Sequence, residues 1–135
     1  MTSLSLSQAN GAGRTILVVD DEPSILTFLQ RVLKLASYTV ITSRNGDHAW
    51  CAIERGQVKV ELVLTDIVMP GSIDGFILAG MIRRKYSNLP VLFMTGALPP
   101  DDEQAAEIER KRLLLRKPFS PRELVEFIDA HFGKG

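Results

Sequence analysis

The chain has 135 residues, the length of one ordinary domain, and is 45% hydrophobic and 24% charged, which allows a single core and does not fit a disordered segment. Sixteen basic and sixteen acidic residues cancel, so no global field draws it to nucleic acid or to an anionic membrane. Its only cysteine, Cys51, rules out an intrachain disulfide and argues against a thiolate metal site.

No apolar run approaches the roughly 18 residues that would span a bilayer. Residues 1–13, rich in Ser, Gly, Asn and Gln, lack the basic-then-apolar order of a secretory signal and read as a mobile tail. A cytoplasmic location is expected, with one domain over residues 14–133. Five short apolar runs follow, alternating with amphipathic stretches and without an internal repeat.

Thr15 to Asp20 is β-branched and too short for a helix, which predicts a buried strand. Pro23 suits a first helical turn, and Ile25, Phe28, Leu29, Val32, Leu33 and Leu35 keep near-helical spacing up to Ala36. Tyr38 to Thr42 predicts a second strand, and Asn45-Gly46-Asp47 opens a helix that stops at Gly56. Val60 to Thr65 predicts a third strand running into Asp66. Beyond a loop with Pro70, Gly71 and Gly75, a helix from about Phe76 to Tyr86 carries the stripe Ile77, Leu78, Met81 and Ile82. Pro90 introduces Val91 to Thr95 as the fourth strand. Asp101 to Lys111 predicts a short exposed helix, and Leu113 to Arg116 the fifth strand. Ser120-Pro121-Arg122-Glu123 is a capping box with proline at the first helical position, so a last helix runs to about Phe132 on Leu124, Val125, Phe127 and Ile128.

Strand and helix repeated five times predict an α/β fold, a parallel sheet wound on both faces. In such sheets ligands bind outside the carboxyl ends of the strands, where the winding reverses. Those ends carry Asp20-Asp21, Asp66, Thr95 and Lys117. Charged groups at the end of a buried strand are costly without partners, and three carboxylates together resist ionising. A divalent cation removes that conflict. All-oxygen ligands favour a hard ion, and Mg²⁺ accepts one or two carboxylates, retained waters and a phosphate. Lys117 adds a cation for a phosphoryl oxygen and Thr95 a hydroxyl, an arrangement suited to phosphoryl transfer onto Asp66.

Val18-Val19-Asp20-Asp21-Glu22, Asp66-Ile67-Val68-Met69-Pro70, Phe93-Met94-Thr95-Gly96 and Lys117-Pro118-Phe119 together resemble the response-regulator receiver domain of two-component phosphorelay signalling, over about Thr15 to Phe132. The resemblance implies the flavodoxin-like strand order 2-1-3-4-5. It implies Asp66 as phosphoacceptor, charged from a phosphohistidine of a histidine kinase or histidine phosphotransfer protein. Asp21 and Asp66 become direct Mg²⁺ ligands, Asp20 a ligand through water, and the Val68 carbonyl a further one. Thr95 becomes the switch hydroxyl, Lys117 the phosphoryl-contacting lysine, and the Lys117–Pro118 bond is expected cis. Such a domain signals to a downstream protein target, with the fourth helix, fifth strand and last helix as the readout face, and catalyses only its own phosphorylation and dephosphorylation. The Met-Pro-Gly and Leu-Leu-Arg-Lys-Pro-Phe wording resembles receivers attached to, or partnered with, hybrid sensor kinases.

Two positions depart from the family pattern. Leu114 stands where the switch aromatic is usual, and Val68 and Ala97 are apolar where polar groups often position the hydrolytic water, so slow self-dephosphorylation is expected. Other classes share parts of this chemistry. A phosphorylation-independent interaction module on the same fold draws support from Leu114. An aspartyl-phosphate phosphatase of the haloacid-dehalogenase type needs Asp-x-Asp on one loop, whereas Asp20 and Asp21 are adjacent. Elsewhere the plain readings hold: His48 a half-exposed surface residue, His131 a helix-end cation, Cys51 a small core residue, and Arg83-Arg84-Lys85 a solvated helix end. Only Gly133-Lys134-Gly135 follow the last helix, so the chain reads as a stand-alone regulator or as a receiver cut from a longer chain.

Overall fold

The computed structural model describes residues 13–97 and 101–132, and the expected tail falls outside them except for Gly13. In chain order the elements are β1 (Thr15–Val19), α1 (Pro23–Leu35), β2 (Thr39–Ser43), α2 (Gly46–Arg55), β3 (Leu62–Asp66), α3 (Gly75–Lys85), β4 (Val91–Thr95), α4 (Glu103–Arg110), β5 (Leu114–Arg116) and α5 (Pro121–His131). The strands form one parallel sheet in the order β2-β1-β3-β4-β5, as expected.

Alternation along β1 explains why both faces are covered. Ile16 and Val18 pack with Leu26, Leu29 and Leu33 of α1 and Leu124 and Ile128 of α5. Leu17 and Val19 point the other way, onto Ala49 and Ile53 of α2 and Leu78 and Ile82 of α3. Every residue of β1 and β3 is buried, the signature of strands with helices on both sides. Removing one such leucine side chain from water contributes about 1.5–3 kcal/mol.

Three boundaries move by a residue or two for hydrogen-bonding reasons. Tyr38 donates its N–H to the Leu33 carbonyl, closing α1 through Ser37 at φ +72°, so β2 begins one residue later than expected. Leu113 likewise donates to the Ile108 carbonyl, after Arg112 at φ +60°, and its amide never joins the ladder of β5. Glu61 turns its carboxylate back to accept the Thr15 N–H at 2.8 Å, and β3 starts only at Leu62.

Three side chains lie elsewhere than their sequence pattern suggested. Leu35 and Ile77 are 62% and 47% exposed, and the buried seams use Leu26 in α1 and Ala79 in α3 instead. Cys51 is exposed, not a core residue, because it faces away from the Gly46, Ala49 and Ile53 seam of α2. In α4, Ala105 and Ile108 are buried under a helix that is otherwise exposed.

A Cβ on Gly80, inside α3, meets nothing nearer than Arg84 Nη1 at 3.6 Å. Gly80→Ala therefore stabilises by about 0.5–1 kcal/mol in urea titrations, through helix propensity alone.

Tyr38, buried at the sheet's other end, donates its hydroxyl to Asp129 of α5 and stacks on Phe132. Burial, then the Asp129 bond and charge, push its pKa far above the ordinary tyrosine value. Folded protein thus keeps the proton that an unfolded tyrosine loses near pH 10, and stability falls as pH rises past that point. Tyr38→Phe lowers stability by about 1–2 kcal/mol at neutral pH. It should also flatten the alkaline loss, as read by urea midpoints across pH.

Candidate active site

The polar ends of β1, β3, β4 and β5 meet at one edge of the sheet. Parallel pairing places Asp66 opposite Met94 and Thr95 opposite Arg116, and Lys117 follows directly, its N–H donating to the Thr95 carbonyl at 2.8 Å. Asp20 follows β1, tied to β2 by its N–H to the Ser43 carbonyl at 3.1 Å. The sheet reverses its winding between β1 and β3, so Asp20 and Asp66 flank the crevice expected of this topology.

Asp20 is fully buried and Asp66 is 7% exposed, while Asp21 faces solvent. One oxygen from each of the three carboxylates lies within 4.8 Å of the others. Lys117 Nζ spans the buried pair, 2.8 Å from Asp20 Oδ2 and 3.2 Å from Asp66 Oδ2. Asp20 Oδ1 accepts the Glu22 N–H at 3.0 Å, and the Val68 amide bonds to the Asp66 carboxylate. Val68 itself is 65% exposed at the rim.

Burial raises the pKa of Asp66; Lys117 opposes the rise, and the charge of Asp20 adds to it. Lys117 is also raised: burial pulls it down, but its bond to Asp20 and the two carboxylate charges outweigh that. The two rises have different causes: for Asp66 the loss of solvent outweighs the nearby ammonium, whereas for Lys117 the two neighbouring carboxylates outweigh the loss of solvent.

Thr95 is buried at this edge, but its hydroxyl donates to the Ala97 carbonyl at 3.1 Å and is not bonded to Asp66. Leu114 pairs with Phe93 across β4 and β5, and the aromatic contact here is instead Phe93 with Phe76, 5.4 Å between ring centroids. The Lys117–Pro118 bond is cis, as expected. His48 is exposed, and His131 Nδ1 donates to the Phe127 carbonyl at 2.8 Å, away from the cluster.

With this geometry established, comparison with known proteins decides the family. Residues 16–129 match the response regulator receiver domain. The chain belongs to that family. It is 35% identical to the response regulator GtcR of Aneurinibacillus migulanus, over 90% of this chain and 48% of that protein. It is 35% identical to the alkaline phosphatase synthesis transcriptional regulatory protein PhoP of Bacillus subtilis, over 82% of this chain and 45% of that one. The chain thus spans about half the length of these curated relatives. Among solved structures, a chemotaxis response regulator of Vibrio cholerae superposes with a TM-score of 0.75 at 26% identity, covering 87% of this chain and 98% of that one.

The receiver assignment bears out the resemblance read from the four motifs, and with it the two-component setting. Its acidic cluster is one that could hold a metal ion. The dehalogenase-type phosphatase gains no support, since the acidic residues come from the ends of two different strands. No helix among the described residues is long and apolar enough to cross a membrane. Sequence reasoning missed the tight seats of Gly46 and Gly75 around the Asp66 loop, because an Asn-Gly or Asp-Gly pair reads first as a turn signal.

Proposed function

We propose that Asp66 accepts a phosphoryl group from a phosphohistidine of a histidine kinase or histidine phosphotransfer protein, with Mg²⁺ bound at the acidic cluster. The observation that carries this reading is the Lys117 ammonium held between Asp20 and Asp66 beside a third carboxylate. An Asp66 oxygen attacks phosphorus, the O–P bond forms as the N–P bond to the donor imidazole breaks, and the imidazole leaves.

The donor set fits Mg²⁺: three close carboxylates and no thiolate or imidazole among the acidic residues that converge. Asp21 and Asp66 would ligate directly, Asp20 through water, and the Val68 carbonyl would complete the protein's share. When bound, the ion supplies charge neutralisation for the phosphoryl oxygens. Lys117 can turn one of its N–H groups from Asp66 to a phosphoryl oxygen while keeping Asp20. Thr95 would exchange its Ala97 bond for a phosphoryl oxygen, the local step of a population shift read by a downstream protein target. In this reading the domain is not an enzyme for other substrates, acts in the cytoplasm and does not itself bind nucleic acid.

Intact mass after incubation with acetyl phosphate tests the proposal: one phosphoryl group is gained with Mg²⁺ and none without it. If a panel of phosphorylated kinases and phosphotransfer proteins also failed to charge Asp66, a phosphorylation-independent interaction module would replace this reading.

Exposed Val68 and Ala97 give no polar group at the rim to orient an attacking water. The aspartyl phosphate is expected to last minutes or longer, and Val68→Asn to shorten it several-fold. A wild-type lifetime of seconds, followed by mass or phosphate release, would contradict this.

A further inference from the structure

The first residues of α2 and α3 are both glycine, each directly behind a side-chain cap. Asn45 accepts the His48 N–H and Asp74 accepts the Ile77 N–H, both at 2.8 Å. Neither glycine has a left-handed φ, so backbone conformation does not require it. Helix propensity disfavours glycine there too.

Space does require it. A Cβ on Gly75 would stand 2.3 Å from the Asp66 carbonyl oxygen and 2.8 Å from the Ile67 Cα. Both are backbone atoms, which cannot swing aside as a side-chain tip can. A Cβ on Gly46 would stand 2.4 Å from Ile73 Cγ2 and 2.5 Å from the Ile73 carbonyl oxygen. Real Cβ contacts essentially never fall under 3.0 Å. The loop between these contacts is closed at its base by Gly75 N–H to the Ile67 carbonyl at 2.9 Å. Ile67 N–H ties that base to Met94 of β4 at 3.1 Å.

From these contacts we infer that Gly46 and Gly75 are positioning residues that clamp residues 67–75 from two sides and so fix the backbone of Asp66. The inference rests on Asp66 being the acceptor. Gly75 seats the start of α3 against the Asp66 carbonyl. Gly46 seats α2 against Ile73, near the far end of the same loop. A side chain at either place drives helix and loop apart by several tenths of an ångström. In-line attack and shared metal ligation tolerate little such drift, since a misplacement of about 1 Å can slow a reaction by about 100-fold.

The test compares wild type, Gly75→Ala, Gly46→Ala and Gly80→Ala. Initial phosphorylation rates with acetyl phosphate, Mg²⁺ affinity by calorimetry, and unfolding in urea are measured for each. The clamp predicts rates lower by at least about tenfold in Gly75→Ala and about threefold in Gly46→Ala, with Gly80→Ala within about twofold of wild type. Mg²⁺ affinity falls in the first two while unfolding stays cooperative. Folded Gly75→Ala and Gly46→Ala with wild-type rates and affinities would overturn it. If neither variant folds, amide spectra of the wild type decide: adding Mg²⁺ must move the Gly46 and Gly75 resonances and spare Gly80, and unmoved resonances sink the clamp. A wild type that gains no phosphoryl group from acetyl phosphate or from phosphorylated kinases and phosphotransfer proteins tells against the acceptor reading instead, and the variants' Mg²⁺ affinities then still judge the clamp.

Discussion

Asp66→Asn is expected to abolish the Mg²⁺-dependent phosphoryl gain while leaving the fold intact. Asparagine matches aspartate in shape but offers no anionic oxygen to attack phosphorus and a poor ligand to a hard cation. Without the ion the substitution is not destabilising, and the sign follows from linkage. Burial raises the folded pKa of Asp66 above that of an unfolded carboxylate, so between the two values the folded state holds more protons. Stability therefore falls as pH rises through that window, and above it the ionised Asp66 opposes folding. A neutral amide removes this opposition, so the urea midpoint at neutral pH should equal or exceed that of metal-free wild type. A residual Mg²⁺-dependent gain in the variant would move the acceptor to another residue. A partner that bound both proteins equally well would favour the interaction-module reading.

Much of the architecture was legible because it depends on periodicity that short-range chemistry imposes. β1 could be read as a buried strand from its β-branched run, and α5 from Ser120 and Glu123, whose reciprocal capping bonds are both present. The left-handed stop at Gly56 was equally plain. Less legible were features set by tertiary contact. Whether Leu26 or Leu35 turns inward depends on the angle at which α1 meets the sheet, which apolar spacing alone does not specify. Cys51 illustrates the same limit, since small apolar character did not reveal which side of α2 it occupies.

In the site, residue types and order carried the reading, and distances carried the rest. Asp20, Asp21, Asp66, Thr95 and Lys117 were singled out from the strand ends alone, and parallel topology brings those ends together. The sequence did not say that Lys117 would lie between Asp20 and Asp66, or that Thr95 would face Ala97. Both depend on rotamers chosen among competing partners. Nor did it distinguish Gly75, held by backbone crowding, from Gly71, held by a left-handed φ of +94° in open space. One letter serves two physical needs.

Lys117→Met is expected to destabilise the metal-free protein by about 2–3 kcal/mol at neutral pH. The lysine side chain is 17% exposed and faces carboxylates that are 0% and 10% exposed, so little solvent stands ready to replace it. Methionine keeps much of the volume and deletes the charge, leaving Asp20 and Asp66 adjacent with only amides to hold them. Breaking a buried pair is usually worth about 3–5 kcal/mol; the open side toward exposed Asp21 lowers the figure here. Mg²⁺ should restore much of the loss, since it meets the same need for positive charge, and the urea midpoint of the variant should rise more with Mg²⁺ than that of wild type. The wild type carries the complementary pH signature. Its Lys117 is raised by its partners, so the ion pair's stabilisation is fully present below the unfolded lysine value and is lost as pH climbs through the folded one. The phosphoryl gain should fall by about 100-fold in the variant even at saturating Mg²⁺, because the ion cannot also supply the N–H donor that Lys117 aims into the crevice. Equal urea midpoints for variant and wild type without Mg²⁺ would mean that Lys117 adds nothing to the stability of the metal-free site and serves the incoming phosphoryl group alone.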